Sequence, residues 1–423
     1  MNVPKLRFKD ENKADYPDWQ FANFGDVFTF KSTNSYSREC LNYEIGTTKN
    51  IHYGDIHTKF KTLFDINNEK VPFVNSDISL DKVNTEAFCR VGDLVIADAS
   101  EDYKDIGKSI EIINLNNQAV IAGLHTFLAR PAIGLLSTGF MGYAMQSTAV
   151  RLQVMTIAQG TKILSISTGR LAKVQIPLPK VEEQQKIADF LSAVDEKITA
   201  LTAQKTALTQ YKQGMMQRIF AQTLRFKDDN GVEYPEWDIK TLGELAKKST
   251  SKNKDESVKT VFTNSAVQGI VNQLDFFDKD IANQNNLANY YIVEKNDFVY
   301  NPRISKFAPV GPIKRNHLGT GVMSPLYTVF RFNEGNLGFM SYLFDTAIWH
   351  DYMFSIANFG VRFDRMNISQ ADFFEMPIAY PCIEEQTKIA QFLTELDDKI
   401  NAVDAQIQSA QQWKQGLLQQ MFI

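Results

Sequence analysis

EEQQKIADFLSAVDEKI at 182–198 returns as EEQTKIAQFLTELDDKI at 384–400, and KQGMMQRIF at 212–220 returns as KQGLLQQMF at 414–422, both at a shift of 202. In the second copy a stripe runs through Ile389, Leu393, Leu396, Ile400, Val403, Ile407, Ala410, Lys414, Leu417 and Met421, in steps of four and three. The first copy keeps the register at Ile187, Leu191, Val194, Ile198, Leu201, Lys205, Leu208, Lys212, Met215 and Ile219. So narrow an a/d stripe reads as a coiled-coil seam. Two copies favour pairing with each other over packing of each on its own domain. Lys205, set against Ile407, reads as a polar seam residue that fixes register. At ~1.5 Å per residue each helix is roughly 50 Å long.

Working outward, LRFKD at 6–10 recurs at 224–228, and YPDW at 16–19 recurs as YPEW at 234–237, both at a shift of 218. The first helix runs on as FAQTLRFKD (220–228), while the chain ends at Phe422-Ile423 and begins VPKLRFKD (3–10). Joined, tail and head would repeat that passage, which predicts pseudo-two-fold symmetry, antiparallel helices and neighbouring termini. Each helix follows a proline-bearing lead, IPLPKVEEQ (176–184) and MPIAYPCIEEQ (376–386). Proline is tolerated there and glutamate favours the positive helix start. The second lead reads as two residues longer, with Ala379-Tyr380 inserted before Pro381. The division predicted is a first module over 1–178, a helix over 179–221, a second module over 222–380 and a helix over 381–423.

A chain of 423 residues with 44% hydrophobic and 12% aromatic side chains is globular rather than disordered. The net charge of −4 does not advertise nucleic acid. By segment it is +1 over 1–180, zero over 181–220, −2 over 221–382 and −3 over 383–423, so the acid excess sits mostly in the second helix. No apolar run is long enough to span a bilayer, and the opening MNVPKLRFKDENK lacks the core of a signal peptide. Cys40, Cys89 and Cys382 are too few and scattered for a disulfide frame or zinc module. A cytoplasmic protein with reduced thiols is expected.

Between the repeated islands the halves share a pattern but few residues. Strands are expected at 93–97, 109–113, 297–300 and 326–332, and helices at 135–145 and 337–356. VGDLVIADAS (91–100) echoes KNDFVYNPRIS (295–305), and AGLHTFLARP (122–131) echoes TGVMSPLYTVFRF (320–332). No phosphate-binding loop or nucleophile motif is present. Asn301-Pro302-Arg303-Ile304 approaches an amino-methyltransferase motif but lacks the aromatic that would stack on a target base. His52 and His57 read as a surface loop, not a metal site.

The doubled phrase I-P-L-P-x-x-E-E-Q-x-x-I-A-x-F-L at 176–191, with its altered copy at 376–393, resembles the specificity subunit of type I restriction–modification enzymes. The resemblance spans nearly the whole chain. It implies an α+β protein with two mixed α/β target-recognition domains separated by a long antiparallel two-helix coiled coil. It further implies a subunit without catalysis that reads a two-part site in double-stranded DNA. Two methyltransferase (modification) subunits and the restriction/translocase subunits would dock on it. S-adenosylmethionine, ATP and magnesium would be held by those partners.

Base edges are read by Arg or Lys on guanine and Asn or Gln on adenine, with phosphate contacts setting register. Candidates in the first module are Lys59, Lys61, Lys104, Lys108, Thr161, Lys162 and Arg170. In the second they are Lys252, Lys254, Arg303, Lys306, Lys314, Arg315, Arg362 and Arg365. Taken singly, each is as readily a solvated surface charge. The loops at 160–162 and 360–362 rank highest, because both sit shortly before a long helix. Antiparallel helices of this length predict half-site centres on the order of 10–15 base pairs apart, at ~3.4 Å per base pair. Two other readings compete: a coiled-coil adaptor with two protein-binding modules, which the net acidity favours, and a self-contained methyltransferase or nuclease, which lacks its motifs.

Overall fold

The computed structural model describes residues 4–81, 83–276, 287–357 and 364–422. Its contacts divide the chain into unit 1, residues 1–203 with 404–423, and unit 2, residues 204–403. The boundaries fall inside the two long helices, Val181–Phe220 and Ile383–Met421, and not at their ends. Each unit thus holds a module, the first half of the helix that follows it, and the second half of the other repeat's helix.

Unit 1 carries a five-stranded sheet in the order Phe28–Lys31, Thr126–Pro131, Leu94–Ala97, Ser109–Asn114, Leu63–Asp65. All neighbours are antiparallel except the last pair. Leu94–Ala97 is wholly buried, as a continuous β-branched and aliphatic run must be when both faces of its sheet are covered. A second sheet orders Ala119–Ala122, Thr48–Ile51, Phe73–Val74 and Leu41–Asn42. Unit 2 repeats the first four strands of the larger sheet as Ala246–Lys248, Thr328–Phe332, Phe298–Tyr300 and Ile313–Arg315.

The repeated islands of sequence make repeated contacts. In unit 1 the Glu183 carboxylate, fully buried near the helix start, meets Arg7 at 2.7 Å and accepts from the Trp19 indole at 3.2 Å. In unit 2 Glu385 meets Arg225 at 2.9 Å and accepts from Trp237 at 2.9 Å. The Leu6 N–H donates to the Gln420 carbonyl as the Leu224 N–H donates to that of Arg218. Phe422 packs on Trp19 and Phe140, as Phe220 does on Trp237 and Phe339.

The helix halves are antiparallel within each unit. In unit 1 Lys414 reaches Asp195 at 2.7 Å, and Asp195 accepts from the Tyr143 hydroxyl at 2.9 Å. In unit 2 Lys212 reaches Asp397 at 2.6 Å, and Asp397 accepts from Tyr342 at 2.7 Å. These are one contact made twice, since Asp195 and Lys212 are the repeat equivalents of Asp397 and Lys414. Ile187, Leu191, Val194, Ile219, Ile389, Leu393, Leu396, Val403, Ile407, Leu417 and Met421 are buried. Ile198, Leu201, Lys205, Leu208, Lys212, Met215, Ile400, Ala410 and Lys414 are half-buried. The stripe does more than zip. Ile187, Leu191 and Val194 join Leu417, Met421, Trp19 and Phe140 in the core of unit 1. Ile389, Leu393 and Leu396 join Ile219, Phe220 and Trp237 in that of unit 2.

Several expectations need correction. The strands Gln175–Leu178 and Pro377–Tyr380 have equal length and stand equally far from their helices, so Ala379-Tyr380 is part of the strand and no insertion exists. The helix expected at 135–145 is confined to Phe140–Ala144, because Gly134 and Gly139 both take positive φ. The helix expected at 337–356 is two, Leu337–Phe344 and His350–Ile356. Buried Trp349 packs on the Phe344 ring and donates its indole N–H to the Phe344 carbonyl, the acceptor that a continuing helix would need. The helix Thr148–Ile157, capped by Ser147, was not expected. His52 and His57 lie at the cap and in the body of the helix Tyr53–Thr58, not in a loop.

Candidate nucleic-acid interface

In unit 1 the helix Tyr53–Thr58 organises the basic groups. Its cap is His52, whose Nδ1 accepts from the Gly54 N–H at 3.1 Å. Burial, reinforced by Arg38, pushes the His52 imidazole down to about 4, so it stays neutral and fit to accept. Asp55, wholly buried, grips Arg38 at 2.6 Å and Lys59 at 2.8 Å. Burial works against its charge, but the two cations prevail and hold the carboxyl below its usual value. Lys59 and Lys70 both lie over the Tyr43 ring, at 5.4 and 5.2 Å. Lys108 donates to the His57 carbonyl at 2.6 Å and Lys61 to Thr199 at 3.3 Å. His125, half-exposed, meets Asp98 at 3.2 Å and packs edge-on against Tyr53.

Lys104 is exposed, and its carbonyl accepts from Arg151 at 3.0 Å. Thr161 and Lys162 stand exposed at the tip of a hairpin in which Gln159 and Ser165 exchange backbone bonds of 2.9 and 2.8 Å. Gly160 there has φ +129, and a Cβ on it would strike the Ile163 carbonyl, so only glycine closes this turn. Arg170, exposed, donates to the Ile157 carbonyl at 3.1 Å.

In unit 2 a cleft of about 500 Å³ is lined by Asn264, Asn301, Arg303, Ser305, Tyr290 and Tyr327 among others. Arg303 pairs through its backbone with Arg365, and Lys306 stands exposed nearby in sequence. Lys252 and Lys254 are exposed on either side of buried Asn253. Lys314 is taken up by Asp345 at 2.5 Å, and Arg315 donates to Asn296 at 2.6 Å. Arg362 and its loop lie outside the described residues.

The candidates thus sort into groups. Lys59 and Lys108 gather at the helix Tyr53–Thr58, Thr161 and Lys162 share one hairpin tip, and Arg303 joins Arg365. Lys314 and Arg315 are engaged within the fold and are not brought to the cleft. Reading by sequence missed Arg38, Lys70 and His125 around Tyr43 and Tyr53, and Asn264, Tyr290 and Tyr327 in the cleft. They lie far apart along the chain, and no local spacing marks them. Among the described residues no cluster of His, Cys, Asp and Glu could hold a metal ion, and no helix is long and apolar enough to cross a membrane.

Two units with matched frames and unlike loops define a class of protein: a duplicated scaffold that presents two different recognition surfaces. Residues 16–210 and 234–410 match the type I restriction modification DNA specificity domain, and the chain belongs to that family. The chain is similar to the putative type I restriction enzyme MjaX specificity subunit of Methanocaldococcus jannaschii, at 24% identity over 250 residues, 56% of this chain and 55% of that protein. It is also similar to the MjaVIII specificity subunit of the same organism, at 34% over 92 residues, 21% of this chain and 22% of that one. The match to the first of these curated relatives therefore spans about half its length. The fold is similar to that of the S subunit of a type I restriction–modification system from M. genitalium, with a TM-score of 0.53, 16% identity and coverage of 100% and 99% of the two chains. A chain from a structure described as the basis of complex assembly and conformational transition of the type I R-M system gives a TM-score of 0.56 at 15% identity, covering 96% and 98%.

Proposed function

We propose that this chain is the DNA-reading, non-catalytic subunit of a type I restriction–modification complex. Each unit reads one half of a bipartite site, and the paired length of the two long helices sets the gap. The observation that carries this reading is the duplicated frame. Arg–Glu–Trp and Tyr–Asp–Lys contacts are repeated residue for residue, while the stretches between the repeated islands share few residues. A duplicated frame with unlike loops suits a target whose halves differ in sequence but share helical geometry. In unit 1 the reading groups are Lys104, Thr161, Lys162 and the surface around Tyr43 and Tyr53. In unit 2 they are Arg303, Lys306, Lys252 and Lys254.

Methyl transfer and cleavage reside in partners: two modification subunits that bring S-adenosylmethionine, and restriction/translocase subunits that use ATP and magnesium. The site of action is the cytoplasm. With a net charge of −4, the lone chain neutralises few phosphates, and the partners supply much of the electrostatic grip. Methylome sequencing of a host carrying this chain with its partner subunits tests the proposal. The expected result is one bipartite motif with a fixed gap, absent when the chain is deleted. An unchanged methylome after deletion would overturn it.

A further inference from the structure

Lys306 and Phe307 form the tip of a two-residue turn in unit 2. The Ser305 N–H donates to the Ala308 carbonyl at 3.0 Å, and the Ala308 N–H donates back at 3.1 Å. Behind the turn Ala308 and Val310 are buried, and the Ile304 N–H donates to the Asp364 carbonyl. Gly311, at φ +80, closes the base of the loop where a Cβ would collide with the Asn301 carbonyl. The backbone is therefore fixed, and the Phe307 ring is left 74% exposed. Single exposed apolar side chains are ordinary. This one differs in its setting, because residues 301–312 include Arg303 and Lys306 and no acid, and Asp364 beside the turn is paired with Arg365 at 3.5 Å.

We propose that Phe307 is a wedge that enters the base stack of the half-site read by unit 2, with Arg303 and Lys306 on the flanking phosphates. This rests on the DNA-reading function above and adds a mode of reading to it. The two cations draw the backbone to the turn, but a phenyl ring can make no hydrogen bond to a base edge. Its favourable contact is with the faces of bases, which become available when a step opens. Pyrimidine–purine steps open most readily, so the wedge selects for such a step without touching its edges. The equivalent loop of unit 1, 98–108, exposes Tyr103 by half but carries Asp98, Glu101, Asp102 and Asp105 against Lys104 and Lys108. That acid excess leaves Tyr103 without cations on both flanks, and the wedge is confined to unit 2, while exposed Lys104 remains a reading group of unit 1.

The test uses the full chain assembled with its modification subunits, on a duplex carrying the motif that the methylome returns. 2-Aminopurine is placed singly through each half-site. Beyond the target base of each half-site, which a modification subunit extrudes, the expected result is a fluorescence rise on binding at one further step, in the half-site read by unit 2 only. F307A removes the rise and weakens binding roughly tenfold, in the range of a lost base–aromatic stack. I239A, which truncates another exposed side chain of unit 2, retains both. Tight binding without that further rise, or its survival in F307A, overturns the wedge and leaves the DNA-reading function standing. Failure of the unaltered complex to bind the duplex overturns both.

Discussion

At the scale of single residues, the fold rests on buried charges whose partners lie far away in sequence. Glu183 has no exposure and depends on Arg7 and Trp19. Arg7→Met should leave a buried carboxylate unpaired and cost about 3 kcal/mol, read as a lowered denaturation midpoint. Arg7→Met with Glu183→Gln should recover much of that loss, and no recovery would mean that packing, not charge, sets the cost. His52 gives a pH signature. Its folded value of about 4 lies below its unfolded value of 6.5, so the native state resists the proton. The stability it allows is complete above pH 6.5 and declines as pH falls toward 4, by up to roughly 3 kcal/mol at ~1.4 kcal/mol per unit. His52→Asn keeps a capping acceptor and should flatten the stability–pH curve of the chain over that window. An unchanged slope would remove His52 as its source.

Elements come next. The Asp195–Lys414 and Asp397–Lys212 pairs are partly exposed, so each single replacement should cost only about 1 kcal/mol. The swap Asp195→Lys with Lys414→Asp should restore stability and Lys414→Asp alone should not, measured by thermal denaturation at low salt. Gly160→Val should deform the hairpin that carries Thr161 and Lys162, because neither its φ nor the nearby Ile163 carbonyl allows a Cβ. Weaker DNA binding by the assembled complex, with a melting temperature lowered by a few degrees through the backbone strain, is the expected outcome. At this scale the sequence was legible where periodicity is strong. The heptad stripe, the strand at 94–97 and the strand at 298–300 follow directly from residue pattern. The split at Trp349 and the cap at Ser147 were not legible, since each depends on one side chain finding a partner in three dimensions. The basic surface around Tyr43 and the cleft around Asn264 were hidden for the same reason: their residues meet only after the sheets form.

For the whole molecule, the repeat was plain in the sequence and the division of the units was not. Both long helices are cut by the unit boundary, which no hydropathy pattern reveals, because a seam residue and a core residue are equally apolar. If paired helix length sets the gap, one heptad added to each helix at matched positions should lengthen the spacing in the methylome motif while both half-sites stay the same. An unaltered spacing would show that something else measures it.

Phe422 and Met421 lie in the core of unit 1, beside Trp19 and Phe140. A ribosome making this chain therefore completes the amino-terminal unit last. Through most of synthesis Trp19 and Phe140 lack their final cover, and a nascent chain cut off before residue 404 would keep that apolar cavity open to chaperones and proteases. Closure of the unit 1 core is thereby coupled to synthesis of residues about two hundred positions downstream of the module that they cover.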